Sequence, residues 1–179
     1  MSVLRREFFE REAEAVAQAL LGQLLVRKLN GRTLRLPITE VEAYAGEKDL
    51  ACHASHGRTK RNAVMFQAGG VFYVYFIYGM YEMLNIVTGP EGSGQAVLIR
   101  AAGELIGPGR LTRALRITRR LNGLPAAPES GLWVEKGETV PEKRVLKMER
   151  VGVNYAGPVW SKKKYRFKIT LPRLSQRQP

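Results

Sequence analysis

The run ITEVEAYAG carries two carboxylates two residues apart, Glu40 and Glu42, between an apolar stretch and Tyr44. Side chains alternate across the faces of a strand. Leu34, Leu36, Ile38, Glu40, Glu42 and Tyr44 therefore share one face if no bulge intervenes. A carboxylate at the edge of an apolar face is costly unless something pairs with it. Such positions hold either catalytic groups or structural ion pairs, and the strand alone leaves both open. The aromatic run VFYVYFIYGMY offers a second kind of chemistry. Tyr73, Tyr75 and Ile77 fall on one face, Phe72, Val74, Phe76 and Tyr78 on the other. Tyr78 stands beside Gly79 at an expected hairpin tip, where burial is not expected. An exposed tyrosine there suits base stacking or insertion into a duplex. Donors cluster twice more. HASHGRTKRN brings His53, His56, Arg58, Lys60 and Arg61 together, and GPGRLTRALRITRR carries Arg110, Arg113, Arg116, Arg119 and Arg120. Both suit phosphate contact, or are simply solvated basic surface.

The whole chain has the same bias. It has 29 Lys and Arg against 16 Asp and Glu, a net charge of +13 over 179 residues, which attracts polyanions and makes nucleic acid the leading partner on charge alone. One cysteine and two histidines leave no disulfide framework and no zinc spacing, so no metal and no cofactor are expected. No apolar run approaches the ~20 residues that span a bilayer, and the N-terminus lacks a signal-peptide apolar core. The expected location is cytoplasmic, at the nucleoid in a bacterium, without membrane association.

Several elements must position these groups. A helix is expected over 6–22, from Phe9, Ala13, Val16, Ala17 and Leu20 at helical spacing. A strand over 24–29, the turn signal Asn30-Gly31 and a strand over 33–44 form a first hairpin. Residues 45–70 read as a polar loop. Strands over 71–78 and 81–88 form a second, protruding hairpin, followed by a turn at 89–94 and a strand over 95–102. A basic helix is expected over 110–121, and strands near 132–135, 144–153 and 165–171. The tail, about 174–179, is expected to be disordered. With 45% hydrophobic residues, the length fits one domain. The predicted fold is α+β: a single compact domain over 1–179, with a curved, mostly antiparallel sheet and flanking helices.

Taken in order, LGQLLVRKL, TEVEAYAGEKDLACHA, RTKRNAVMF, VFYVYFIYGMYEMLNIV, AVLIRA, GPGRLTRAL and RVGVNYAG resemble the alkyladenine DNA glycosylases, also called the N-methylpurine or mammalian-type 3-methyladenine DNA glycosylases. The resemblance runs from about Phe9 to Phe167. It implies a metal-free monofunctional glycosylase, expected as a monomer, that extrudes a damaged purine from double-stranded DNA. It would cleave the N-glycosidic bond and leave an abasic site. Glu42 matches the carboxylate that activates water, and Arg100 the arginine beside it. Tyr44, His53 and Tyr75 match residues enclosing the extruded base, and Asn85 the asparagine that limits which purines fit. Tyr78 matches the tyrosine that fills the gap in the duplex, and Arg58, Arg61 and Arg110 are expected on the DNA backbone. The implied substrates are the class of 3-methyladenine, 7-methylguanine, hypoxanthine and ethenoadenine. A non-catalytic nucleic-acid-binding or lesion-recognition protein is the alternative.

Overall fold

The computed structural model describes residues 2–170; the tail at 174–179 lies outside them. The N-terminal segment forms two helices rather than one, α1 (Arg6–Phe9) and α2 (Ala13–Leu20). Tertiary bonds interrupt the expected continuous helix. The Phe9 carbonyl accepts the Gly89 amide at 3.0 Å, and the Ala13 amide donates to the buried Gln95 Oε1 at 2.8 Å. The chain at Phe9 also presses on Gly69, where a Cβ would lie 2.5 Å from the Phe9 carbonyl oxygen, so only glycine fits that crossing.

Strands β1 (Leu24–Leu29) and β2 (Arg32–Ala45) form the first hairpin. After three single turns of 3₁₀ helix within 46–66 come β3 (Phe72–Ile77), β4 (Tyr81–Thr88), β5 (Gln95–Ala102) and the short β6 (Leu105–Ile106). Helix α3 (Pro108–Ala114) leads to β7 (Leu132–Glu135), β8 (Val145–Met148), α4 (Gly157–Trp160) and β9 (Arg166–Ile169). Nine strands among the described residues make one curved antiparallel sheet ordered β3-β4-β5-β2-β1-β7, with β6 on β5, β9 on β2 and β8 on β9. The 14-residue β2 is its axis. β5 follows one edge, while β1 and then β9 occupy the other. The expected strand over 144–153 is cut short at Met148, because Arg150 and Val151 turn inward to serve the site described below.

One face of the sheet is the core. Phe72 and Val74, Leu84 and Ile86, Val97 and Ile99, and Val41 and Ala43 pack there against Val16, Ala17 and Leu20 of α2 and Leu111 of α3. Ile38 belongs to this core too, which corrects the single-face reading of β2. The pairing with β5 shifts between Ile38 and Glu40, leaving Thr39 as an extra residue. This bulge puts Ile38 on the face of Val41 and Ala43, opposite Glu40 and Glu42.

The basic helix is also shorter than expected. Arg116 has φ +48° and ends α3 in a Schellman arrangement. The Ile117 amide donates to the Thr112 carbonyl at 2.8 Å and the Arg116 amide to Arg113 at 3.2 Å. Glycine usually takes this left-handed position. Here the Arg27 guanidinium holds it by donating to the Leu115 and Arg116 carbonyls at 3.0 and 3.2 Å. Arg110 and Arg113 therefore lie on α3, whereas Arg119 and Arg120 start a separate turn. No helix among the described residues is long and apolar enough to cross a membrane.

Candidate active site

Four adjacent strands bury one parity of their side chains, and the other parity builds a cavity. The register makes a row across the sheet: Tyr73 pairs with Asn85, Asn85 with Leu98, and Leu98 with Glu42. These four residues stand on neighbouring strands about 4.8 Å apart and line one cavity of about 270 Å³. Its size is near the lower end for ligand pockets (~300 Å³), which suits a single nucleobase better than a larger ligand. Glu42, Tyr44, His53, Tyr75, Tyr78, Asn85 and Arg100 all line it. Arg58, Arg61 and Arg110 do not; they are exposed outside it. Arg61 touches a lining strand, its Nη2 reaching the Phe76 carbonyl at 3.5 Å.

Glu42 is fully buried, and its carboxylate is held by three donors. The Val151 amide donates to Oε1 at 2.8 Å, the Tyr44 hydroxyl donates to Oε2 at 2.9 Å, and Arg100 Nη1 lies 3.3 Å from Oε1. Donors alone surround it, as an anionic carboxylate requires once it is out of water. Arg100 reaches both carboxylates, since its Nε donates to Glu40 Oε1 at 3.1 Å. A second bulge explains this reach. Glu40 pairs with Ala101 but Val41 with Ile99, so Arg100 is the unpaired residue, and bulges of this kind re-aim side chains beside active sites. Glu40 is also ringed by Arg166 at 3.6 Å and Lys168 at 3.8 Å. It answers to the ion-pair reading of the two carboxylates, while Glu42 faces the cavity.

The aromatic wall is joined by contact. His53 and Tyr75 meet edge to face with centroids 4.6 Å apart, and Tyr75 lies 5.4 Å from Tyr73. The contact leaves no gap between His53 and Tyr75, and the two rings form one corner of the cavity. His53 Nδ1 and the Tyr73 hydroxyl share a 2.9 Å hydrogen bond. Burial, with Arg61 nearby, lowers the His53 pKa and favours the neutral ring. Burial pushes the Tyr73 hydroxyl up to about 12. Tyr44 is pushed well above its ordinary value by burial and then by the Glu42 charge. Asn85 is buried, and its Nδ2 donates to the Tyr73 and Met83 carbonyls at 3.2 and 3.3 Å, which fixes the amide plane.

Tyr78 projects at the mouth. It is 76% exposed and occupies a tight turn closed by the Met80 amide on the Ile77 carbonyl. Both Tyr78 and Gly79 have positive φ, +54° and +66°. That conformation is natural for glycine and unfavourable for tyrosine. A strained residue at the rim of a cavity suggests a functional constraint.

Sequence reasoning missed four contributors. Tyr73 was legible, because it alternates with Tyr75. The Val151 amide was not, since a backbone donor has no residue signature. Arg150 and Asp49 form a fully buried ion pair, with Arg150 Nη2 on Asp49 Oδ1 at 2.8 Å. The same guanidinium donates to the Ala43 carbonyl and lies 4.9 Å from the Tyr44 ring centroid. It braces the wall from behind, and losing one partner of such a pair typically costs about 3–5 kcal/mol. Only its place in the RVGVNYAG run hinted at it. Cys52 is buried and its thiol is pushed up to about 11 by burial, so it makes a poor nucleophile. Among the described residues no group of three or more His, Cys, Asp or Glu is placed to hold a metal ion.

A methylpurine-DNA glycosylase sequence profile matches residues 7–106 and 102–172. The chain is 46% identical over 177 residues to a protein of Methanocella arvoryzae, covering 88% of each chain. It is 43% identical to a protein of Myxococcus xanthus, covering 93% of this chain and 90% of the other. A protein of Anaeromyxobacter is also 43% identical, with 98% and 93% covered. All three carry the provisional name 3-methyladenine DNA glycosylase.

Proposed function

The chain belongs to the methylpurine-DNA glycosylase family, and on that premise we propose that it extrudes damaged purines from duplex DNA and hydrolyses their N-glycosidic bond with a water activated by Glu42. The observation that carries this reading is the buried Glu42 carboxylate, held by Arg100, Tyr44 and the Val151 amide at the side of a base-sized aromatic cavity.

The chemistry follows from charge. As the base departs, the sugar gains oxocarbenium character, as in glycoside hydrolysis. An anionic Glu42 stabilises that charge and accepts a proton from the attacking water. The bond between the sugar carbon and the base nitrogen breaks, its electron pair leaves with the base, and the water oxygen bonds to the sugar carbon. Arg100 orients the carboxylate. Tyr44, Tyr75 and His53 enclose the base, Asn85 limits which purines fit, and Tyr78 fills the gap left in the duplex. Arg58, Arg61 and Arg110 contact phosphates. The substrates are the 3-methyladenine, 7-methylguanine, hypoxanthine and ethenoadenine class. Such bases are cheaper to extrude than normal pairs, by part of the few kcal/mol that unstacking costs. Cationic alkylated bases also leave readily once extruded.

Glu42→Gln tests the assignment. The variant keeps the shape of the side chain, so lesion-duplex affinity stays within a few-fold of wild type. Single-turnover excision falls at least ~100-fold, as expected for a general base. Excision within a few-fold of wild type would overturn the assignment of Glu42 as the base.

A further inference from the structure

The mouth of the cavity carries a second exposed aromatic that has no role in the scheme above. Tyr155 sits on the single 3₁₀ turn Asn154–Ala156, is 70% exposed, and lines the same cavity as Tyr78 and Glu42. A large aromatic this exposed usually moves freely, but this one is tied down. Its hydroxyl donates to the Ala51 carbonyl at 3.1 Å, joining segments 104 residues apart. The turn itself is anchored from below, because Ala156 and Val153 are buried with Ala51. The ring is therefore held outside a small apolar cluster and is already ordered before any ligand arrives. Ordering a side chain on binding costs free energy, and here much of that ordering is complete.

The surroundings indicate what the ring meets. Val151, on the same segment, lines the cavity and is 50% exposed, while its amide holds Glu42. Ala51, Gly152 and Val153 line the cavity beside it. The rim on this side is apolar, on a chain whose surface is otherwise strongly basic. A nucleotide whose glycosidic carbon approaches Glu42 must bring its sugar past the segment that carries both the Val151 amide and Tyr155. The apolar C–H face of a deoxyribose suits such a rim, whereas a phosphate does not.

We propose that Tyr155 packs against the deoxyribose of the extruded nucleotide and forms a lip opposite Tyr78. Tyr78 occupies the space the nucleotide leaves, and Tyr155 holds the nucleotide once it has left. The inference rests on the base-extruding reading above. It adds a substrate contact from a part of the chain that supplies only a backbone amide in that reading.

The test compares wild type, Tyr155→Ala and Tyr155→Phe on a duplex with one hypoxanthine beside a 2-aminopurine, and on the undamaged duplex. With the ring removed, the extrusion equilibrium read by 2-aminopurine fluorescence falls about 5- to 150-fold, the range for loss of one aromatic contact. Affinity for undamaged duplex stays within about two-fold, and the melting temperature changes little because the ring is mostly exposed. Tyr155→Phe keeps the ring and retains most of the extrusion. Extrusion by Tyr155→Ala equal to wild type would overturn the proposal. So would equal losses in both variants with a lowered melting temperature, which would make the Ala51 bond a structural strap. A wild-type protein giving no extrusion signal would instead sink the glycosylase reading on which this one rests.

Discussion

Tyr78→Asn should make the protein more stable and less able to hold an extruded nucleotide. The two effects have separate structural origins. In the folded chain Tyr78 has φ +54°, a conformation that costs an ordinary L-residue roughly 1–2 kcal/mol and that asparagine tolerates well. With 76% of its surface exposed, the ring has little packing to lose, so relief of strain dominates. A gain of up to about 1 kcal/mol would raise the melting temperature by roughly 2–4 °C in a domain of this size. On DNA the sign reverses. A ring stacked in the gap contributes about 1–3 kcal/mol, so the extruded complex should weaken by roughly 5- to 150-fold. Thermal unfolding and the fluorescence of a 2-aminopurine beside the lesion measure both terms on one variant. Truncating a buried aromatic costs about 3–5 kcal/mol. A melting temperature lowered by many degrees, with extrusion unchanged, would refute the reasoning and make Tyr78 a packing residue.

Asn85→Ser should raise excision of normal guanine relative to hypoxanthine, at least from mispairs, because guanine differs by an exocyclic amino group that Asn85 would block; unchanged selectivity in a competition assay would remove Asn85 from base discrimination. Stability should fall as pH drops below neutrality, partly through His53. Burial lowers its folded pKa below the ordinary ~6.5. The unfolded chain therefore binds that proton first, and the stabilisation present above ~6.5 is lost as pH falls toward the folded value. Melting curves from about pH 7.5 to 5.5 should slope less steeply for His53→Gln than for wild type, and identical slopes would show that His53 contributes nothing.

Local rules carried the sequence a long way wherever the chain is regular. Alternation alone separates Tyr73 and Tyr75 from Phe72 and Val74, and the structure has the first pair on the cavity and the second in the core. Asn30-Gly31 marked the first hairpin, and Tyr78-Gly79 fell at the tip of the second. The same rule failed on β2, for a physical reason. Alternation assumes one residue per rung, but Thr39 is an extra residue in β2 and Arg100 an extra residue in β5. No residue type announces either bulge. Yet Arg100 reaches both Glu40 and Glu42 from its bulge.

Helix periodicity failed in the same way at Phe9 and Arg116. Both breaks depend on partners far along the chain, Gly89 for the first and Arg27 for the second. Arg116 shows the logic plainly. Its left-handed conformation contradicts local preference, and it is retained because a guanidinium from β1 satisfies the carbonyls that the helix end leaves open. The donors that fix Glu42 have the same character. Arg100, Val151 and the Arg150 brace behind Tyr44 lie 58, 109 and 106 residues from the groups they serve, counting 100 − 42, 151 − 42 and 150 − 44. Periodicity within one segment cannot show such contacts, because they are set by which strands become neighbours. Departures from local rules that cluster around a carboxylate are expected where regular pairing gives way to function. That is why β2 reads most simply over its first half and least simply at Thr39 to Glu42, where the candidate chemistry sits.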